Sequence, residues 1–345
     1  MTIMKTKHKN IPIFIPHLGC PNNCVFCNQR SISGTRDFDI NKVEALIEES
    51  LKTVDVSSTE LQLAYFGGSF TGIDRNDMIH LLALGKKYVD LGAISSIRIS
   101  TRPDYINRDI LTLLNEYGVR SIELGIQSMS NKVLSASGRG HSSEDTKKAC
   151  SLIRESGCFE LVGQMMVSLP FSTPDDDRNT AKEIVTLGAD KARIYPTMVF
   201  ASTPLEEMLN SGIYSSPDLD SSVSLCADIF EIFTEASVEV IRIGLAESDG
   251  LHDQKGISAG AYHPAMGELV IGEYYRRIID RKLKHIGKDI LSGKNITVYA
   301  PIGSTSKVIG QNGRNKRYIY NEYNVKSVKV IENPDILLYN VLTML

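Results

Sequence analysis

The stretch PHLGCPNNCVFCNQRSISG, residues 16–34, contains three of the six cysteines of this 345-residue chain. Cys20, Cys24 and Cys27 have the spacing C-x3-C-x2-C and follow the apolar run IPIFIP, which we predict to be a buried strand. Three thiols leave one unpaired in any disulfide scheme, and so few cysteines in so long a chain argue against a secreted protein built on disulfides. We therefore interpret the cysteines as metal ligands on the loop after the first strand.

Two kinds of metal site fit this spacing. A structural zinc ion needs four tetrahedral ligands, and His17, three positions before Cys20, is available as the fourth. An iron–sulfur cluster is held by thiolates, normally four of them. With three cysteines, one iron keeps an open coordination position, and an open position on a metal is where substrate chemistry takes place. The spacing alone leaves both kinds of site open.

The chain beyond this loop alternates short β-branched runs with amphipathic stretches. The predicted strands between Ile11 and about Pro196 are IPIFIP, LQLAYFGG, SIRISTRP, SIELGIQS, ELVGQMMVSLP and KARIYPTMV. Strands separated by helices predict repeated βα units and hence an α/β fold, with a parallel sheet that forms a partial or complete (β/α) barrel. In such barrels the chemistry takes place at the carboxyl ends of the strands.

The cysteine motif, with Phe26 directly before its last cysteine, resembles the signature of the radical S-adenosylmethionine (SAM) superfamily. This resemblance implies a TIM-like radical SAM barrel and a [4Fe–4S] cluster on Cys20, Cys24 and Cys27, whose fourth iron binds SAM. It also implies that an electron from the cluster cleaves SAM to methionine and a 5′-deoxyadenosyl radical, which takes a hydrogen atom from the substrate. An electron donor such as flavodoxin or ferredoxin is expected as a partner.

Further motifs lie at the ends of the later strands, in the order in which the superfamily places its SAM contacts. They are YFGGSFTG, ISTRPDYI, ELGIQS, SGRGH and QMMVSLP. The resemblance implies SAM contacts from Gly67, Gly68, Ser69, Ser100, Arg102, Gln127, Arg139 and Gln164. Gln164 stands where some relatives carry an acid, but an amide also hydrogen-bonds a ribose hydroxyl. Glu123 and His141 belong to the same motifs, and no residue is assigned a catalytic role.

Within the superfamily the chain most resembles the Elp3-like branch. The motifs GCPNNCVFCNQR, GGSFTG, ELGIQS, GRGH, RIYPTMVFASTPLEEM and AGAYHPAMGELV carry this resemblance over about residues 11–270. Elp3 proper modifies a wobble uridine of transfer RNA and carries a fused acetyltransferase domain, which we do not expect in a chain of this length. Cys150, Cys158 and Cys226 lie in helical patterns and are predicted to be buried apolar side chains rather than ligands of a second cluster. His263 either faces the active site or has a structural role.

The last part of the chain is strongly basic. Residues 276–331 contain thirteen Lys and Arg against three acidic residues, a net charge of +10 in a chain whose overall charge is −3. The order strand ITVYA, helix, turn GQNG, helix, strand VKSVKVI resembles a KH-like domain, whose glycine turn clamps a nucleic-acid backbone while the next helix N-terminus favours phosphate. The predicted RNA contacts are Lys307, Gly310, Gln311, Asn312, Gly313, Arg314, Lys316 and Arg317.

These patterns predict three parts and a leading function. The parts are a radical SAM barrel over residues 1–200, an Elp3-like extension packed on it over residues 201–290, and a KH-like domain over residues 291–345. We expect a cytoplasmic radical SAM enzyme that modifies an RNA, either tRNA or rRNA, docked by the basic module. The alternatives are a radical SAM enzyme acting on a small molecule such as a tetrapyrrole precursor, and a non-catalytic RNA-binding adaptor with a structural metal site. No membrane association is expected, because the apolar run between Pro12 and Pro16 is too short for a span or a signal sequence.

Overall fold

The computed structural model describes residues 7–15, 18–28, 38–54, 59–245 and 256–344. Within these ranges the main sheet has seven parallel strands, arranged in the order of the sequence. They are β1 Lys7–Ile15, β2 Thr59–Gly67, β3 Ser96–Thr101, β4 Val119–Gln127, β5 Glu160–Val167, β6 Lys191–Pro196 and β8 Glu239–Ile243. Because β1 and β8 form the two edges, the curled sheet is a partial barrel. The predicted α/β fold with a partial barrel is confirmed.

Helices follow most of the strands and cover the outer face of the sheet. They are α1 Val43–Lys52, α2 Arg75–Asp90, α3 Arg108–Glu116, α4 Asn131–Ala136, α5 Ser143–Ser156, α6 Pro174–Thr186, α7 Pro204–Asn210, α8 Leu219–Glu235, α9 Met266–Ile286, α10 Lys288–Leu291, α11 Thr305–Ile309 and α12 Arg314–Tyr323. None of the helices in the described ranges is long and apolar enough to cross a membrane.

Reciprocal hydrogen bonds fix the starts of two helices that follow loops at the carboxyl edge of the sheet. At α5 the Ser142 hydroxyl accepts from the backbone N–H of Asp145, and the Asp145 carboxylate accepts from the backbone N–H of Ser142. Thr173 and Asp176 repeat this arrangement at α6. Such capping boxes satisfy N–H groups that the first turn leaves unpaired. They therefore also hold the preceding loops in place.

The strands present different chemistry to their two faces. Along β4, Ile122, Leu124 and Ile126 belong to the hydrophobic core, whereas Glu123 and Gln127 line the interior of the barrel. Successive side chains of a strand point to opposite faces of the sheet. One face of the strand therefore packs against helices and the other lines a polar interior.

The sequence predicted one edge strand of the sheet, β1, but not the other, β8. Pro12 lies in β1, which pairs with β2, and proline, having no N–H, is confined in sheets mainly to edge strands. The six predicted strands correspond to β1–β6 and are confirmed. The other edge strand, β8, lies in the stretch 201–290 and was not singled out from the sequence.

A short separate sheet is formed by β7 Met198–Phe200 and β9 Ile257–Gly260.

The basic tail, residues 295–344, folds in the predicted order of strand, helix, turn, helix and strand. Its strands are β10 Asn295–Ala300, β11 Ser327–Glu332 and a further strand, β12 Leu342–Met344. Strand β10 lies parallel to β11 and antiparallel to β12. Val298 and Ile319 of the tail join the same hydrophobic core as α9, and Asp280 of α9 accepts hydrogen bonds from the hydroxyls of Tyr318 at 2.9 Å and Tyr323 at 2.7 Å. A shared core therefore holds the tail against this helix.

Candidate active site

The cysteine loop closely approaches the glycine turn after β2. The backbone N–H of Ser69 donates to the carbonyl of Leu18 at 3.0 Å, and that of Gly68 donates to the carbonyl of Ile15 at 2.7 Å. A Cβ atom at Gly68 would lie 2.0 Å from the Leu18 carbonyl oxygen, far inside van der Waals contact. Only glycine at this position lets the loop and the turn meet.

The loop between α4 and α5 holds the other side of the cysteine loop. The backbone N–H of Val25 donates to the carbonyl of Ser137 at 3.1 Å, and Asn22 Nδ2 donates to the carbonyl of Arg139 at 3.1 Å. A Cβ atom at Gly140 would lie 2.0 Å from Asn22 Nδ2. The motifs GGSFTG and SGRGH, far apart in sequence, thus contact the cysteine loop from two sides.

Two arginines face the cysteine thiols. Arg139 Nη1 donates to Cys24 Sγ at 3.3 Å, and Cys24 is buried. Although Cys20 as a residue is exposed, partial burial of its thiol raises its pKa, and the neighbouring Cys24 raises it further. The guanidinium groups of Arg139 and Arg102 lower the same pKa. Positive charge therefore lies where thiolate ligands would carry negative charge.

The zinc alternative requires four ligands around one ion. Within the described residues, no group of three or more His, Cys, Asp or Glu side chains is close enough together to hold one metal ion. His17, which the zinc alternative requires, lies outside the described residues.

One large cavity inside the barrel brings the predicted site together. Its volume is about 1450 Å³, and its lining includes all three cysteines of the motif and all eight residues predicted to contact SAM. Ligand pockets commonly measure about 300–1,000 Å³. The cavity therefore has room for a cofactor and for part of a substrate.

Two polar atoms in this cavity suit a polar cofactor. Within the described structure, Oε1 of Gln127 accepts no hydrogen bond and Nε of Arg139 donates none, although both side chains are buried. A buried polar atom without a partner costs free energy, which a ligand such as SAM, rich in donors and acceptors, would recover. Gln127 also has a φ of 65°, a left-handed conformation that clusters at ligand sites when the residue is not glycine. These residues fit SAM.

The other predicted SAM contacts are already engaged by neighbouring protein groups. Arg102 donates from Nε and Nη2 to the Asp104 carboxylate, both at 2.9 Å, and Ser69 Oγ accepts from the backbone N–H of Arg102 at 3.2 Å. Ser100 hydrogen-bonds Glu123. These bonds position the side chains along the cavity wall. Their contact with SAM stays a prediction, as does that of Gly67, Gly68 and Gln164.

The opposite wall of the cavity carries charged groups that the sequence motifs did not reveal. They are the cations Lys191, Arg193 and Arg242 on β6 and β8, with the hydroxyl of Tyr195 beside them, and Arg98 lies at a lower level of the same cavity on β3. Arg98 Nη2 lies 3.1 Å from Glu160, and Arg193 Nε lies 2.9 Å from Glu123. The signal that could have found them is the alternation of polar and apolar residues in SIRIST and KARIYP. Buried parallel strands are usually apolar on both faces, so this alternation predicts a polar interior.

The predicted RNA contacts lie outside the cavity, on the tail. Gln311, Asn312, Lys316 and Arg317 are exposed, whereas Gly310 is buried. Two others pair with acids of earlier elements: Arg314 Nη1 lies 2.8 Å from Asp220, and Lys307 Nζ lies 3.8 Å from Glu268. The exposed groups, together with the half-buried Gly313, form a basic surface around the turn 310–313.

The glycine turn 310–313 contacts His263 at the rim of the barrel. Gln311 Nε2 lies 3.4 Å from His263 Nε2, while His263 Nδ1 accepts from the backbone N–H of Ala265 at 3.0 Å. His263 lines a small pocket with Met198 and Leu245, and these two residues also line the large cavity. His263 therefore lies between the glycine turn and the cavity wall.

The remaining cysteines lie apart from the motif. Cys150 and Cys226 are buried as predicted, and burial raises the pKa of the Cys150 thiol to about 12. The prediction was wrong for Cys158, which is exposed. Helix α5 ends at Ser156 with Gly157 in a left-handed conformation, so Cys158 lies beyond the buried face of the helix.

Two family models match the chain. The radical SAM superfamily matches residues 14–184, and the radical SAM C-terminal domain matches residues 189–276. The chain belongs to the radical SAM superfamily. This makes it an enzyme and leaves the adaptor alternative unsupported, and the superfamily implies a [4Fe–4S] cluster and SAM.

Similar proteins confirm the Elp3-like branch. An uncharacterized protein of Methanocaldococcus jannaschii is 28% identical over 242 residues, 66% of this chain and 72% of that protein. A tRNA uridine(34) acetyltransferase of Methanocaldococcus infernus is 38% identical over 117 residues, 33% of this chain and 22% of that protein. Elongator complex protein 3 of Saccharomyces cerevisiae is 24% identical over 259 residues, 63% of this chain and 46% of that protein. The chain thus spans less than half the length of the two relatives whose names state a function.

A solved structure shares the fold. The archaeal Elp3 of Methanocaldococcus infernus, with an N-terminal deletion, superposes with a TM-score of 0.62 at 22% identity. The match covers 81% of this chain and 64% of that chain. The radical SAM enzyme described here is therefore of the Elp3 type in fold and sequence.

Proposed function

We propose that this radical SAM enzyme modifies an RNA that the basic tail docks at the rim of the barrel. The observation that carries the proposal is the contact between Gln311 and His263, which brings the glycine turn next to the cavity wall. Backbone N–H groups of such a turn and the helix N-terminus after it bind phosphate. An RNA strand held there has its neighbouring nucleotides at the cavity mouth.

The chain's own residues would hold both cofactors in this cavity. Cys20, Cys24 and Cys27 would bind the cluster, and Gln127 and Arg139 would bind SAM beside the glycine turn after β2. When bound, the cluster and SAM supply the electron and the radical for abstraction of a hydrogen atom, and an electron donor such as flavodoxin or ferredoxin would reduce the cluster. The protein's part is to orient these groups and the substrate and to exclude side reactions.

Transfer RNA is the first candidate substrate. Relatives that match this chain over a third of its length are named tRNA uridine(34) acetyltransferases. An enzyme that acts on a base inside a cavity has to take that base out of its stack, which is easiest in a single-stranded loop. A loop nucleotide of a tRNA meets this requirement.

RNA docking is tested by the triple variant Arg314→Ala, Lys316→Ala, Arg317→Ala. These exposed cations surround the glycine turn, and each phosphate contact that is lost lowers the salt dependence of binding by slightly less than one unit on a log–log plot. We expect the variant to bind total tRNA more weakly and with a slope smaller by about two to three units, measured by filter binding over a salt series.

The matched control is Lys147→Ala, Lys148→Ala, Lys182→Ala, which removes three exposed cations from the outer helices α5 and α6. This variant is expected to bind tRNA like the parent chain. Equal losses in both variants, or tRNA binding that does not depend on salt, would contradict the proposal. Mass spectrometry of nucleosides from cells with and without the protein then identifies the modified base.

A further inference from the structure

We propose that the polar interior of the barrel contains, among Arg98, Arg193 and Arg242, a subsite for a small anion, the carboxylate or phosphate group of a second substrate that enters the cavity beside SAM. The subsite deepens the proposed function, since it lies in the same catalytic cavity. It gives a role to arginines that are not predicted to bind the cluster or SAM.

One guanidinium group pairs with a buried carboxylate, and the charges of two further arginines act on the same carboxylate. Arg193 Nε lies 2.9 Å from Glu123 Oε2, and Glu123 is 2% exposed. Arg98 and Arg242 also add positive charge around Glu123. The balance between these cations and the nearby acids determines whether this part of the cavity attracts a further negative charge.

The other charged groups leave an excess of positive charge among the buried side chains of this part of the cavity. Glu160 lies 3.1 Å from Arg98 Nη2 but is shared with Lys191, whose Nζ lies 2.6 Å from it. Glu60 and Glu239 also line the cavity, near the amino ends of their strands, and both are exposed to solvent. Among the partly or fully buried groups, two acids, Glu123 and Glu160, face three cations, Arg98, Lys191 and Arg193. The exposed Arg242 is offset by the exposed Glu60 and Glu239, and Glu239 Oε2 lies 3.7 Å from Lys191 Nζ.

The unused hydrogen-bonding capacity of the cluster consists mainly of donors. Arg98 is 1% exposed, and its Nη1 has no hydrogen-bond partner in the described structure. Arg193 Nη1 donates to the hydroxyl of Tyr195 at 3.1 Å, while its Nε meets Glu123 without the alignment of a hydrogen bond. Unpaired guanidinium donors in a buried setting match the paired oxygens of a carboxylate or phosphate.

Strand register gives the depth of Arg193 in the cavity, and strand order gives its distance from the cysteine loop. Arg193 on β6 pairs in register with Gln164 on β5, which pairs with Gly125 on β4. The arginine thus lies at the depth of the predicted SAM contacts. The cysteine loop follows β1, at the opposite end of the sheet order from β6 and β8. An anion bound here would lie beside SAM.

The test is calorimetric titration of the cluster-loaded protein with SAM bound, without reductant. The probes are malonate, inorganic phosphate and the neutral diamide malonamide, each at constant ionic strength. We expect one of the anions to bind and malonamide not to bind. Arg242→Gln should weaken the anion at least tenfold, and because Arg242 is exposed this variant is expected to fold. Arg120→Gln removes an exposed arginine of β4 outside the cavity and should leave binding unchanged.

The two anions distinguish the chemistry of the second substrate. Tighter binding of malonate indicates a carboxylate, and tighter binding of phosphate indicates a phosphate ester. Binding of neither anion above chloride, or equal binding by Arg242→Gln and Arg120→Gln, overturns the inference. Failure of tRNA docking would leave this titration unchanged, so the two proposals fail separately.

Discussion

The barrel interior and the basic tail carry positive charge in different ways. The side chains of Arg98 and Arg193 are 2% and 13% exposed and pair with Glu160 and Glu123. The side chain of Arg314 is 53% exposed, and Lys316 of α12 is also exposed. Buried charges are costly to leave unpaired and are little screened by salt, whereas exposed ones are solvated and screened. The interior suits a small ligand at fixed distances, and the tail suits a long polyanion.

The strongest way to separate the two regions is Cys24→Ala. This change removes a buried thiol of the cysteine loop, and we expect iron content and 5′-deoxyadenosine formation to fall to background after reconstitution under anaerobic conditions. Binding of tRNA should remain, because the predicted RNA contacts lie on the tail, outside the cavity that Cys24 lines. The exposed Cys158→Ala is the control and should retain both iron and activity. Activity in Cys24→Ala would refute the assignment of this cysteine.

A second pair of variants compares the cost of losing one acid in each region. Glu123→Gln leaves the buried Arg193 uncompensated, and breaking a buried pair from one side lowers the free energy of unfolding by about 3–5 kcal/mol. Asp220→Asn breaks the exposed pair with Arg314 and should change stability little. Urea denaturation of both variants measures the difference. Equal effects would show that the interior pair is solvated like a surface pair.

Asp177 offers a smaller, pH-dependent test of a carboxylate whose burial outweighs the effect of the neighbouring Arg178. Its carboxylate is buried and accepts from the backbone N–H of Ser168 at 2.8 Å and from Ser172 Oγ at 2.6 Å. Burial raises its pKa from 3.8 to about 6. The folded state therefore holds this proton more tightly than the unfolded state, and stability falls as pH rises from about 4 through 6.

The expected contribution of this group over that range is roughly 3 kcal/mol, one pKa unit corresponding to about 1.4 kcal/mol. Asp177→Asn removes the titration, so the difference in unfolding free energy between the parent chain and the variant should change with pH in this window. Parallel stability curves from pH 4 to 7 would show that Asp177 keeps an ordinary pKa.

Much of the fold and the cofactor side of the cavity could be predicted from the sequence. The cysteine spacing and the strand-end motifs are local patterns, and the resemblance to the radical SAM superfamily assigned Gln127 and Arg139 to the same site as Cys24. The structure places all three residues on one cavity. The βα alternation likewise predicted β1–β6. The exposed position of Cys158 was missed because the helix ends two residues earlier, at a boundary that periodicity does not fix.

Which charged residues of the cavity lie next to each other was not predictable by the same means. Arg193 and Arg242 become neighbours of Glu123 only because β6 and β8 pair in the sheet, and β8 follows a long stretch without a strand of that sheet. Contacts of this kind depend on strand order and register rather than on a local motif. The pairing of Arg314 with Asp220 is of the same type, since it joins α12 to the start of α8.

An open barrel exposes strand edges that a second polypeptide could extend, and such edges are a common origin of aggregation. In this chain the edge strand β1 contains Pro12, which cannot donate to a neighbouring strand. A polypeptide added along β1 would meet a break in its hydrogen-bond ladder at this residue. The opening that gives the barrel its wide cavity therefore does not also offer an uninterrupted template for self-association along β1.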